Sequence, residues 1–338
     1  LVIVLIAGLG GAYYFKRYLP ITVAPKSFPQ TEGKIQIEGL QSPVNIYRDN
    51  MGIPNIYAGN QHDLFFAQGY VHAQDRFWQM DVWRHIGSGT LSEMFGKGQV
   101  ETDTFLRTLG WKQVAEQEYA QLSPEAKAIL DSYTDGVNAY LKDHDKTALS
   151  LEYAILGLLS PDYTVGPWTP INSLTWGKAM AWDLRGNMGE EIERAVLLKT
   201  LTPEQVKELY PVYPQDHPVI VNSIGENQLK VEEPALSLSK GQISRGPSNI
   251  PLSTFDFTSL ANKFALLDNA LGPAGEGIGS NSWAVAGSRT STGMPLLAND
   301  PHLSIQMPSI WYQVGMHCMP KSDACPIEVT GFSFAGVP

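Results

Sequence analysis

The chain has 338 residues, 43% of them hydrophobic and 17% charged, with a formal net charge of −10. Length and composition are those of a globular protein with room for one large core or two smaller ones. No basic cluster interrupts the acidic balance, and an acidic surface repels a phosphate backbone, so nucleic acid is excluded as a partner.

Leu1–Phe15 is almost wholly apolar, and Lys16 and Arg17 follow at once. The run is shorter than the roughly 20 apolar residues of a comfortable membrane span. It suits the core of an export signal or a membrane anchor over residues 1–18, with a buried N-terminal strand as the alternative. The chain starts at Leu, so a charged leader end is expected to precede it. The protein is therefore expected in the periplasm or on the membrane, meeting lipid only through this segment.

After Pro20–Pro29, Lys34–Leu40 and Pro43–Arg48 read as short strands, Asp49–Gly52 as a turn and Ile53–Tyr57 as the returning strand. Asn60 is the N-cap of a helix whose apolar stripe runs Phe66, Tyr70, Ala73, Phe77, Met80, Trp83, and Gly87 and Gly89 end it. Helices follow over Thr102–Gln121 and Pro124–Lys142, the latter with Ser123 as N-cap and Pro at the first helical position. Asn172–Trp182, Glu190–Thr200 and Pro203–Leu209 complete a mainly helical region, 30–222. His72, Asp75, Asp81 and His85 crowd one helix, where helix-surface pairs and buried ion pairs with Arg76 and Arg84 explain them better than a metal does.

From 223 to 279 the chain is rich in Ser, Gly, Asn and Pro and ends Gly272-Pro273-Ala274-Gly275-Glu276-Gly277-Ile278-Gly279, the composition of a spacer. Beyond it, over 280–338, the pattern turns to strands: Ser282–Gly287, Met294–Asn299, Ile310–His317 and Pro326–Phe334. Cys318 and Cys325 are the only cysteines and lie on facing arms of the last hairpin, where either a disulfide or two isolated buried thiols fit. With no further ligands at zinc spacing, this pair does not bind metal.

Gly279-Ser280-Asn281-Ser282-Trp283 stands where the spacer meets a strand. If the Gly279–Ser280 bond is cut, Ser280 carries both a hydroxyl and an α-amine. An α-amine has a pKa of about 8, so near neutral pH it can take the proton from its own hydroxyl. A serine hydrolase of the Gly-x-Ser-x-Gly kind is excluded, since Gly331-Phe332-Ser333-Phe334-Ala335 lacks the last glycine.

The run from Ser280 to Tyr312 follows the pattern Ser-Asn-x-Trp, then Gly, Thr-x-x-Gly-x-Pro-Leu-Leu-x-Asn-Asp-Pro-His-Leu and Pro-x-x-Trp-Tyr. It resembles the start of the catalytic subunit in the penicillin acylase family. The front of the chain resembles the other subunit, through Arg48-Asp49, Gly52-Ile53-Pro54, Gly69-Tyr70-Val71-His72-Ala73-Gln74-Asp75-Arg76, Trp78-Gln79-Met80-Asp81 and Leu91-Ser92-Glu93-Met94-Phe95-Gly96.

The resemblance implies an α+β protein of the four-layer αββα N-terminal-nucleophile fold, incomplete here. It implies a precursor that cuts itself at Gly279–Ser280, loses the spacer and works as two subunits. Ser280 would be the nucleophile on small-molecule N-acyl amides, such as β-lactam side-chain amides or N-acyl homoserine lactones. His302 would stand beside it, the matching residue being His in the cephalosporin-acylase-like and acyl-homoserine-lactone-acylase-like branches and Gln in the penicillin G branch. Asn281, Trp283, Asn299 and Asp300 would support the motif. Trp182, Arg185 and Leu303 would fall at the acyl pocket, Arg185 and Leu303 departing from a phenylacetyl lining. Glu191 would be one ligand of a structural calcium, whose other carboxylates, like the oxyanion asparagine, are expected beyond Pro338. The chain as it stands would then be a catalytically incompetent fragment. No organic cofactor is implied. The contrasting expectation is a membrane-anchored binding protein that keeps the fold without the chemistry.

Overall fold

The computed structural model describes residues 2–183, 188–211, 279–303 and 305–338, together with positions 217 and 256. They divide into two units, one drawn from Leu1–Arg185 with Leu266–Pro338, the other from Gly186–Ala265. The spacer expected over 223–279 lies outside the described residues except at 256 and 279.

The first unit begins with helix α1 (Val2–Tyr13), continued by a π-helical stretch (Tyr14–Val23) and a 3-10 turn (Ala24–Ser27). The hairpin β1 (Asn45–Arg48) and β2 (Pro54–Ala58) follows, with Asp49 Oδ1 accepting from Met51 N–H and Ile53 N–H and Gly52 at φ +80°. Lys34–Leu40, expected as a strand, is not one. Ile35 and Ile37 alternate with polar residues, but the chain turns at Gly39 (φ +103°), and the buried Asp63 carboxylate captures Gln41 N–H and Ser42 N–H.

Helix α2 (Gln61–Ser88) is capped as the residues dictate. Asn60 Oδ1 accepts from Asp63 N–H, and Gly89 adopts a left-handed conformation at the end. Around it lie α3 (Leu91–Phe95), α4 (Val100–Leu109), α5 (Trp111–Gln121), α6 (Pro124–Asp143), α7 (Lys146–Leu149), α8 (Leu151–Leu159) and α9 (Pro170–Asp183). The helix expected over Thr102–Gln121 is two, because Gly110 at φ +74° ends α4 and opens α5. Asp103 on α4 accepts from Leu91 N–H and Ser92 N–H and so caps α3 from outside. The second unit contributes α10 (Met188–Leu197) and α11 (Pro203–Leu209), the latter with a Thr202–Gln205 capping box.

Helices α2 and α6 cross backbone to backbone. A Cβ on Gly69 would land on the Tyr133 carbonyl, and one on Gly136 would land on the Phe66 carbonyl. Since the obstacle at each is backbone, the helices must part to admit a methyl group. Gly136→Ala is expected to destabilise the protein by about 2–3 kcal/mol, read as a lowered denaturant midpoint with unchanged slope. A surface alanine substitution at Gly98, where nothing lies within 4 Å, should leave the midpoint in place.

From residue 279 onward come β3 (Gly279–Val285), β4 (Leu296–His302), β5 (Trp311–Cys318) and β6 (Glu328–Phe334). The architecture is α+β, mostly helical first and with strands later. One sheet has the order β1-β2-β5-β6. β2 runs parallel to β5, pairing Asn55 with Gly315 through Ala58 with Cys318, and the other neighbours are antiparallel. The sheet thus joins the front of the chain to residues 311–334. Cys318 and Cys325 form a disulfide buried in the core that β2 and β5 share with Leu64, Ala67 and Val71 of α2. β3 and β4 form a separate two-stranded ribbon, so the described residues do not complete a four-layer stack.

The polar residues of α2 stitch this body together. Arg48 pairs with Asp75 through two hydrogen bonds of 2.8 and 3.0 Å, and Tyr312 O–H donates to the same carboxylate at 2.5 Å. Arg76, expected in an ion pair, instead donates to the Ser309 carbonyl. His72 is fully buried, with Nδ1 2.8 Å from Tyr133 Oη and Nε2 3.1 Å from Ser333 Oγ. Gly336 N–H donates to Tyr133, and Ser333 donates to the Tyr312 carbonyl. One proton arrangement satisfies every partner: Tyr133 donates to Nδ1, and Nε2–H donates to Ser333. The histidine is neutral there, burial pushing its pKa down from 6.5 to about 3.

This has a pH consequence. An unfolded His72 takes up its proton near pH 6.5 and the folded one only near pH 3, so between those values the unfolded state binds more protons. Stability is therefore lost as pH falls through that window, at up to about 1.4 kcal/mol per unit from this residue. Asp63 acts in the same direction. Burial opposes its charge, but hydrogen bonds from Gln41 N–H, His62, Asn60 and Ser42 N–H outweigh that and hold its carboxyl below the usual range. Urea midpoints at pH 7 and pH 4.5 are expected to differ markedly in the wild type and less in His72→Gln.

Candidate active site

The ribbon is built by its own motif residues. Its strands are in continuous antiparallel register from Gly279 opposite His302 to Val285 opposite Leu296. The connection turns on Gly287, where a Cβ would strike the Gly293 carbonyl, and on Gly293 itself at φ +72°. Thr290 Oγ lies 2.7 Å from the Met294 carbonyl and 3.0 Å from that of Gly287, closing the turn. The spaced Gly, Thr and Gly of the motif are thus turn chemistry that fixes the register.

The register decides which side chains meet. Ser280 lies opposite Pro301 and Ser282 opposite Asn299, and Ser282 Oγ donates to Asn299 Oδ1 at 2.7 Å. Side chains alternate along a strand, so Ser280, Ser282, Asn299 and Pro301 share one face. Asn281, Trp283, Asp300 and His302 share the other, where His302 Nε2 lies 3.2 Å from Asp300 Oδ2. His302 is therefore one strand step from Ser280 and directly across from Gly279, beside the Gly279–Ser280 peptide bond rather than the Ser280 hydroxyl.

Ser280 is the second residue of β3, and the described residues leave it exposed. β3 from Ser280 onward and all of β4 but Pro301 are exposed, and Trp283 retains 52% of its accessible surface. Two strands alone offer no second layer to cover either face.

The remaining predicted positions are placed as follows. Trp182 is buried on α9 against Phe105 and Trp111, with ring centroids 6.0 and 5.8 Å away, so it serves the helical core. Leu303 follows β4 and is half-buried. Arg185 lies outside the described residues. Glu191 on α10 is exposed and paired with Arg194 at 2.7 Å, and Arg194 also reaches Glu190. Calcium requires 6–8 oxygens, and among the described residues no group of three or more His, Cys, Asp or Glu side chains converges on one point.

Asp81 was expected in a helix pair, and its surroundings are wider than the sequence indicated. It is fully buried and accepts from Arg84 Nε at 2.6 Å, Tyr153 O–H at 2.5 Å and Tyr163 O–H at 2.6 Å, with His85 Nε2 at 3.6 Å. Arg84 also donates to the Gly166 and Pro167 carbonyls. Every group in this cluster has a protein partner, so it holds α2 to α8 and to the segment before α9. Nothing in the spacing of Tyr153, Tyr163 or Ser333 announced their parts in these networks.

A family model described as penicillin amidase matches residues 43–338. The acyl-homoserine lactone acylase QuiP of Pseudomonas aeruginosa is 34% identical over 305 residues, covering 90% of this chain and 33% of that protein. The penicillin acylase 2 proenzyme of Pseudomonas sp. is 31% identical over 315 residues, covering 92% and 36%. A solved structure, thermostable penicillin G acylase from Alcaligenes faecalis, shares 27% identity at a TM-score of 0.45, covering 54% of this chain and 98% of that one. The chain spans about a third of the length of the curated relatives it matches.

Proposed function

As the chain belongs to the penicillin amidase family, we propose that the whole protein is a self-processing acylase that hydrolyses linear N-acyl amides through an N-terminal Ser280. The observation that carries this proposal is the ribbon, whose register sets the Gly279–Ser280 bond at a strand end with His302 across from Gly279.

Processing starts when Ser280 Oγ attacks the Gly279 carbonyl carbon. The C–N bond breaks, the hydroxyl proton passes to the departing amine, and the Gly279 acyl group is left as an ester on Oγ. Water then hydrolyses that ester, freeing the Ser280 hydroxyl and α-amine. Gly279 leaves its seat opposite His302, and the new amine lies at the margin of that space. In turnover the amine takes the Ser280 hydroxyl proton, Oγ attacks the substrate amide, and the leaving amine departs with the proton. Water then releases the acid. His302, held by Asp300, assists from Gly279's side by hydrogen bonding to the amine or to the attacking water.

Two relatives are named for acyl-homoserine lactones and penicillins, both of which are N-acyl amides, and these are the substrate classes proposed. Export is proposed as well, since a buried disulfide between Cys318 and Cys325 persists in an oxidising compartment. The test is free-amine release by the full-length processed protein from a panel of N-acyl homoserine lactones and side-chain amides of penicillins. Release from at least one class is expected. A folded, processed protein that releases amine from none of them contradicts the proposal.

A further inference from the structure

The front helical segment has its base inside the molecule, and the residues just before that base are exposed. α1 carries no charged residue on any side, and helical backbone continues from it without an extended residue through Ser27. Leu9, Tyr13 and Phe15 are exposed, at 70%, 64% and 55%. Leu19, Val23 and Ala24 are buried, and the turn Ala24–Ser27 packs on α7. At that seam the Asp145 carboxyl is held below its usual range by the Thr147 hydroxyl, the Ala148 N–H and, more weakly, by Lys26.

A helix that docks on protein is apolar along one stripe, whereas one that is apolar all round must be covered all round. Hydrocarbon does that. The residues at the point of emergence fit the same surroundings, because Tyr13, Tyr14, Tyr18, Lys16 and Arg17 pair apolar stems with tips suited to the headgroup level. No described helix is long and apolar enough to cross a membrane, and the twelve residues of α1 between Val2 and Tyr13 are the apolar part of the segment.

We propose that residues 2–27 stay in the mature protein as a lipid anchor, with Leu19, Val23 and Ala24 locking its base into the body and the α7 end of the body facing the bilayer. Gly10-Gly11-Ala12 offers the small residues a leader peptidase reads, but a protease takes its substrate extended, and here they lie within α1. The inference does not depend on Ser280 or on amide hydrolysis.

The test is fractionation of cells making the full-length protein, with intact mass of the subunit that carries the N-terminus. Expected is a subunit that includes residues 2–27 and stays in membranes through high salt and alkaline carbonate. A subunit starting at Tyr13 or later, or an intact one released by salt, overturns the proposal. In flotation with phosphatidylethanolamine–phosphatidylglycerol vesicles, the Leu9→Asp/Phe15→Asp variant is expected to bind at least tenfold less at an unchanged unfolding temperature. Equal binding by the variant also overturns it.

Discussion

Ser280→Ala in the full-length protein abolishes amide hydrolysis, with kcat falling by about four orders of magnitude or more. The size follows from the double duty proposed for one residue. Its hydroxyl is the attacking group, and its amine, the base, is freed only if that hydroxyl first cleaves the Gly279–Ser280 bond. Removing Oγ therefore removes nucleophile and base together. The fold should not suffer, because Ser280 is exposed among the described residues. A variant that is uncut yet unfolds cooperatively, with amine release at background, is the expected pair of results. Residual turnover within tenfold of wild type would show that another group attacks the amide.

Asp81→Ala has the largest effect expected on stability. The carboxylate lies between Arg84, Tyr153 and Tyr163 with no exposure, and its loss leaves a buried guanidinium without its counter-charge and two phenols without their acceptor. Breaking a buried pair from one side costs about 3–5 kcal/mol, which lowers the unfolding midpoint by roughly 10 °C in a body of this size. Desolvation of the orphaned charge is the main source, so removing both charges should do less damage than removing one. Asp81→Leu/Arg84→Met is expected to unfold above Asp81→Ala. A double variant at or below the single one would mean that the cluster acts through its hydrogen bonds to α8 and not through charge.

What the sequence made legible was chiefly local chemistry. Asn60, Ser123 and Gly89 mark helix ends because capping needs only the residue and its next turn. Gly110 could have been read the same way, but the apolar pattern runs on through it, and a left-handed glycine breaks the backbone without breaking the pattern. Lys34–Leu40 has strand alternation, yet a strand needs a partner, and Asp63 has already taken the backbone donors that follow it.

The candidate site was legible as a motif but not as a geometry. Ser280 and His302 are readable as a pair, whereas their opposite faces follow from a register set by Gly287, Thr290 and Gly293. The parallel pairing of β2 with β5 joins residues some 260 positions apart, and no local signal carries such a pairing. The roles of Tyr153, Tyr163 and Ser333 likewise exist only once distant segments have met.

The measurement that bears most directly on the central claim is intact mass with N-terminal sequencing of the full-length protein, beside Ser280→Ala. A subunit beginning Ser280-Asn281-Ser282-Trp283 in the wild type, and a chain uncut at that bond in the variant, is the predicted result. A folded, active wild type whose Gly279–Ser280 bond stays whole would contradict it, because the Ser280 amine would then never be free to act.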